Sequence, residues 1–328
     1  MVDNIPIKLV MSTIEKYIKY NTLAANRPEY EIIRSVNVRK INNKIELKQS
    51  INDLMPMTFK YFDKRENTNW TVDTTVLAII EDFFPTYLRY LNKNNIISYA
   101  KYTIFFNGIS IKTQPENARP PSKSKHKRYY IFGLAVGTHK NLLIYDDITK
   151  MMHHFEPHGS GDKPDILGIV YRTMLKNYFK SIGFPILKFE SPQLYCPKIG
   201  LQRETNTAVF RNRKNNTNEY TGTDYDIKID LGGYCTIWCY LYIDHFTRQP
   251  ELDPIEIQDA MSELTTTAGY TYYIRQYTLY LINLLYFLIS RADKIGFITL
   301  RDMYKDYRFV KCALIVANKE CKKTDYTK

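Results

Sequence analysis

Apolar residues recur along this chain with two periods, and the period decides which segments are expected to be helices and which strands. Val76, Leu77, Ile80, Phe83, Phe84, Leu88 and Leu91 follow the three-to-four-residue helical step, with Pro85 expected to interrupt or kink the helix. Tyr129 to Val136 (YYIFGLAV) and Asn141 to Tyr145 (NLLIY) are short apolar runs rich in strand formers. Lys150 to Phe155 (KMMHHF) follows after a short polar turn, so the three read as a β-meander. Ile166, Ile169, Val170, Met174, Leu175 and Phe179 predict one apolar face of a helix over residues 165–181, and Ile186 to Phe189 predicts a further strand. Asp226 to Leu231 alternates apolar and charged positions as a half-buried strand does. Gly232 and Gly233 then turn the chain into a helix with Cys235, Trp238, Cys239, Tyr242, Ile243 and Phe246 on its packing face, while Asp244 and Arg248 point elsewhere.

Residues 1–64 are mostly polar and are expected to form an N-terminal helical extension, with a helix around residues 12–25. Residues 65–328 are expected to form one domain, interrupted by a polar insertion loop at 203–230 and mainly helical from Asp253 onward. No internal repeat is visible. The fold class predicted is α+β, with a central mixed sheet facing the helix that starts at Cys235.

Composition narrows the function classes. An apolar content of 44% with 24% charged residues is enough to bury a core, which excludes a chain disordered throughout. The apolar run from Tyr277 to Ser290 is too short to span a bilayer and is expected as a buried helix, so no membrane span is expected. The first twenty residues lack the apolar core and small-residue cleavage site of a signal peptide. Five cysteines, odd in number and unevenly spread, suit a reducing compartment better than a disulfide framework. The expectation is an intracellular protein. A net charge of +12 favours nucleic acid or acidic partners, or serves only solubility. If nucleic acid is bound, Arg119, Lys123, Lys125, Lys127 and Arg128 are the expected contacts, because they cluster without an acidic neighbour. The alternative is an exposed, solvated loop.

The residue pattern with most chemistry in it is Gly232-Gly233-Tyr234-Cys235, at a strand-to-helix turn. Unpaired N–H groups and the helix dipole at that position favour a thiolate. A buried structural cysteine is the alternative, and it is the expected role of Cys239. A nucleophilic thiolate needs a base with an orienting group. His139 stands where one strand starts and Glu156 where the next ends, so a hairpin would set them side by side. A metal site from His154, His158, Cys235 and Cys239 lacks a standard pair of spacings and is not expected.

The order His139, Glu156, Gln202, Cys235 resembles the ubiquitin-like-specific (SUMO-protease) and adenovirus-type cysteine protease clan, in the form found in large DNA viruses. The local words that carry the resemblance are THKNLLIYD around His139, FEPHG around Glu156, CPKIGLQ ending at Gln202 and GYCTIWC around Cys235. The resemblance implies the papain-like fold of that clan and a cysteine endopeptidase cutting after small, Gly-Gly-like residues. Cys235 would be nucleophile, His139 base and Glu156 its orienting group, with Gln202 in the oxyanion hole. It further implies that Gly233, Tyr234 and Trp70 line the substrate and that no cofactor is needed. The implied partners are viral structural polyproteins or, as an alternative, ubiquitin-like conjugates on host proteins, in the host cytoplasm or the virion. A non-catalytic basic virion protein that binds nucleic acid is the third reading. Gln202 precedes Cys235 by 33 positions (235 − 202), so residues 203–230 would have to loop out and return.

Overall fold

The computed structural model describes residues 74–107, 110–114, 119–136, 139–157, 166–190, 234–249, 251–268 and 306–323, with isolated positions in 9–20 and 274–288. Element order is α1 (Thr74–Leu91), β1 (Ile97–Asn107), β2 (Ser110–Gln114), β3 (Tyr129–Val136), β4 (His139–Asp146), β5 (Met151–Phe155), α2 (Ile166–Ser181), β6 (Lys188–Glu190), α3 (Tyr234–Arg248), α4 (Pro254–Ala268) and α5 (Tyr307–Lys323). The chain divides into two compact units. One holds Met1–Val10, Leu91–Ala208 and Tyr234–Tyr270, and the other Met11–Tyr90, Val209–Gly233 and Thr271–Lys328.

The first unit is built on a mixed sheet with the order β2-β1-β3-β4-β5-β6. β3, β4 and β5 form the expected meander with antiparallel pairing, while β1 runs parallel to β3 and β6 parallel to β5. Strands covered on both faces need apolar side chains at successive positions, which is why YYIFGLAV and NLLIY read as continuous apolar runs. Tyr130, Phe132, Leu134, Leu143, Tyr145 and Met152 pack with Leu175 and Phe179 of α2 and with Phe184. The intervening positions face α3, where Tyr129 meets Phe246 edge-on at 4.8 Å and Phe155 stacks on Tyr242 at 4.2 Å. Each such aromatic pair contributes about 0.5–1.5 kcal/mol beyond the area it buries.

Several expectations need correction. β1 and β2 were not foreseen from periodicity, because a register shift between Tyr99 and Thr103 breaks the alternation of β1 into two short pieces. The helix α2 keeps Leu175 and Phe179 on its buried face but leaves Val170 half exposed, at 50%. The helix α3 is not amphipathic: it is buried on every side, including Asp244 and His245. Asp244 therefore needs a partner in place, and Arg248 one turn later supplies it. Pro85 lies within α1, which runs on through it. The strand expected at Asp226 to Leu231 and the insertion loop at 203–230 lie outside the described residues.

Helix α4 shows how locally such an element is fixed. Asp253 caps it, its Oδ1 accepting from the N–H groups of Ile255 and Glu256 at 2.8 Å each. The Glu256 carboxylate accepts from the Asp253 N–H at 2.9 Å, and Pro254 fills the first helical position.

In the second unit, Ile80, Phe83, Phe84, Tyr87 and Leu88 of α1 are buried, as are Tyr277, Leu281, Leu284, Leu285 and Leu288 from the long apolar run. Tyr17 packs on Tyr280 at 4.6 Å, and Tyr87 donates a hydrogen bond to the Tyr280 hydroxyl at 3.2 Å. No helix among the described residues is long and apolar enough to cross a membrane.

The basic stretch before β3 is fastened to the sheet. Lys123 pairs with Asp147 at 2.5 Å, Arg128 with the buried Asp146 at 2.9 Å, and Lys127 donates to the Ile97 carbonyl at 3.0 Å. The acidic partners come from the β4–β5 turn, some twenty residues away in sequence, so the pairing was not visible in the local lack of acids, under either the nucleic-acid or the solvated-loop expectation. Lys125 and Arg119 remain exposed.

Gly133 on β3 is paired with Thr103 at the irregularity of β1, where a Cβ would come within 2.8 Å of the Thr103 Oγ1. Gly133→Ala is expected to destabilise the protein by about 1–3 kcal/mol, the usual cost of forcing atoms into a packed site. Thr103→Ala should restore most of that loss in the double variant. Urea unfolding of the four-member cycle checks this, and strictly additive effects would refute the close approach.

Candidate functional site

Strand β4 begins at His139 and strand β5 ends one residue before Glu156. Their antiparallel register pairs Leu142 with Phe155, which carries Glu156 past that pair toward the start of β4. The result is a bond of 2.5 Å between His139 Nε2 and Glu156 Oε1, both side chains being about four-fifths buried or more, at 20% and 15% exposure. Helix α3 packs on β4 and begins at Tyr234, which places Cys235 in its first turn. The Cys235 thiol is hydrogen-bonded to the His139 ring and to the backbone N–H groups of Lys140 and Thr236. With Nε2 held by Glu156, Nδ1 is the ring nitrogen left for the sulfur.

These contacts set the charges. Burial opposes ionisation of Cys235, but the bond from His139 and the two backbone donors outweigh it and hold the thiol below its ordinary range. Burial likewise opposes a charge on His139, yet the bonds to Cys235 and Glu156 raise its pKa to about 9. Both shifts favour a thiolate beside an imidazolium over the neutral pair. Cys239, one turn along the same helix, sits in the opposite environment. It is fully buried, its Sγ donates to the Lys140 carbonyl at 3.6 Å, and burial pushes its thiol well up. Lys140 itself is partly buried, which lowers its own pKa.

Cys235, His139 and Glu156 are thus brought together. Gln202, Gly233 and Trp70 lie outside the described residues, as does the side chain of Tyr234. Two donors to the sulfur were missed by sequence reasoning, the N–H groups of Lys140 and Thr236. Each is the chain neighbour of a residue already singled out, but backbone donors leave no mark in residue types. His153 and His154 serve elsewhere: His153 is buried with its Nδ1 2.7 Å from Glu190 of β6, and His154 stands edge-on to Phe189, while His158 lies outside the described residues. Among the described residues no cluster of His, Cys, Asp and Glu is arranged to hold a metal ion.

Comparison with known proteins changes the assignment. The chain is 27% identical over 188 residues to a protein of Acanthamoeba polyphaga mimivirus named "Putative ankyrin repeat protein", a match covering 52% of this chain and 22% of that protein. No protein-family model matches the chain, and no solved structure matches it. The finding overturns the reading of the chain as a member of the SUMO-protease and adenovirus-type clan. The likeness is to a protein named for its repeats, which are interaction elements, and not to a cysteine protease. The endopeptidase assignment, its deubiquitinase alternative and the enzyme class with its hydrolase terms are corrected with it. Four short words in a fixed order are reproducible by chance and by a shared structural need, such as a buried helix start against a strand. The chain spans less than a quarter of the length of the relative it matches.

The ion pair itself is measurable. The His139 ring is expected to remain protonated at pH 7.5 and to titrate near pH 9 in a ¹H–¹⁵N NMR experiment, against about 6.5 for an unperturbed ring. Because the folded pKa is the raised one, the stability from this charge is fully present below about pH 6.5 and is lost as pH rises through about 9. Cys235→Ala and Glu156→Gln should each move the midpoint down toward 6.5. A wild-type midpoint below 7 would show that no ion pair forms.

Proposed function

We propose that this chain is a polypeptide-binding protein of a large DNA virus, and that the surface around His139 and Cys235 is where its partner is engaged. The observation that carries the reading is the similarity to the mimivirus protein, whose name points to a repeat class built for binding other proteins. The site adds supporting features. Val136, directly across the ladder from His139, exposes 39% of its surface, which sets an exposed apolar side chain beside the charged pair. The half-buried Lys140, next to His139 in the chain, adds positive charge to that surface. A nucleic-acid partner is not favoured, because Lys123, Lys127 and Arg128 are engaged within the chain.

The test is panning of the immobilised full chain against a displayed library of linear peptides, with an unrelated protein of similar positive charge as control. Selective enrichment is expected, and synthetic peptides from it should bind at least tenfold more weakly to Val136→Asp, a loss of about 1.4 kcal/mol. No enrichment above the basic control would sink the binding reading. Enriched peptides indifferent to Val136 would remove the partner from this surface.

A further inference from the structure

The two sulfur atoms of α3, one turn apart, have been given opposite surroundings, and polypeptide binding uses neither of them. Cys235 is 6% exposed and receives hydrogen bonds from the His139 ring and from the N–H groups of Lys140 and Thr236. Cys239 is 2% exposed and its S–H is turned to the Lys140 carbonyl at 3.6 Å. Glu156, 2.5 Å from the far side of the imidazole, keeps that ring charged and oriented. Only a small reagent can reach a sulfur with so little open surface. One with a weak bond and a leaving atom that needs a proton is suited to the donor beside it. Hydroperoxides have those properties.

We propose that Cys235 is a site of reversible oxidation by hydrogen peroxide, with His139 supplying the proton to the departing oxygen. The Cys235 sulfur attacks one peroxide oxygen, forming an S–O bond as the O–O bond breaks. The electron pair leaves on the second oxygen as hydroxide, which takes the proton from the His139 imidazolium to become water. Sulfur gives up two electrons and peroxide gains two. The thiolate and imidazolium are replaced by a neutral sulfenic acid and a neutral imidazole, so charge balances. Cys239 does not resolve the product, because its hydrogen is committed to the Lys140 carbonyl and burial keeps it a thiol. The sulfenic acid therefore persists until a small external thiol condenses with it, releasing water, and a second such thiol restores Cys235. This inference goes beyond polypeptide binding and does not depend on it.

The experiment uses the full chain treated with hydrogen peroxide in the presence of dimedone, with peptide-resolved mass spectrometry. Cys312 lies exposed on α5 and serves as internal comparison. At pH 6.5 Cys235, with the His139 ring and two N–H groups on its sulfur, is expected to be labelled at least roughly tenfold faster than Cys312 despite its burial. Its rate should rise less steeply between pH 6 and 8 than that of a thiol without an ion pair, which gains roughly tenfold per unit. His139→Ala should bring Cys235 to the rate of Cys312 or below it, and Cys312→Ser should leave Cys235 unchanged. Labelling of Cys312 ahead of Cys235 in the wild-type chain overturns the proposal, with no variant required. So does a folded His139→Ala protein, verified by circular dichroism, that is labelled at Cys235 as fast as wild type.

Discussion

The peptide units on either side of the Lys140 Cα are the point on which the site depends. The N–H of this residue donates to the Cys235 sulfur, and its carbonyl accepts from Cys239, one helical turn further on. Two sulfurs four residues apart on α3 thus grip one residue at the start of β4. Residues at that spacing lie on one face of a helix, so the grip is possible only if the helix start and the strand start coincide. The position of His139 follows, since it is the residue before Lys140. Glu156 is set in turn by the hairpin register. A shift of one residue in that register would turn Glu156 to the other face of the sheet and leave the ring without its carboxylate.

That arrangement requires α3 to be held firmly, and its burial on every side does so. Tyr129 against Phe246 and Phe155 against Tyr242 seat the helix on the sheet, and α4 packs against it as well. Complete burial has a cost where polar groups are carried along. Asp244 is offset by Arg248 from the same helix, and His245 is driven down to a pKa of about 4, hence neutral at physiological pH. The same low-dielectric surroundings give Cys239 its raised pKa. Cys235 differs because it sits at the one turn of the helix whose N–H groups are not consumed by helical hydrogen bonds. Two cysteines of one helix are thereby assigned opposite chemistry by a displacement of a single turn.

The relation to function is looser than the geometry. A thiolate beside an imidazolium oriented by a carboxylate is an arrangement of groups, and folds and constellations recur with different uses. The comparison that reaches this chain leads toward protein interaction, through a relative of which it spans 22%. The resemblance drawn from local words pointed to proteolysis.

What the sequence determined by itself is everything that depends on neighbours a few residues apart. The meander β3–β5 was legible because strands buried on both faces must be apolar at successive positions. The start of α3 was legible because glycines precede an apolar stretch with helical spacing, and the His139–Glu156 pair because one hairpin joins them. What only the tertiary structure decided involves partners distant in the chain. The broken β1 shows no clean alternation, and its place beside β3 depends on Gly133 admitting Thr103. The cations of the basic stretch looked free until the β4–β5 turn brought Asp146 and Asp147 to them. The full burial of α3 could not be read from its own pattern, because it depends on packing against β4 and α4, elements distant in the chain or formed only in the fold. The donors on Cys235 come from backbone, which every residue carries alike, so only the meeting of helix and strand could reveal them.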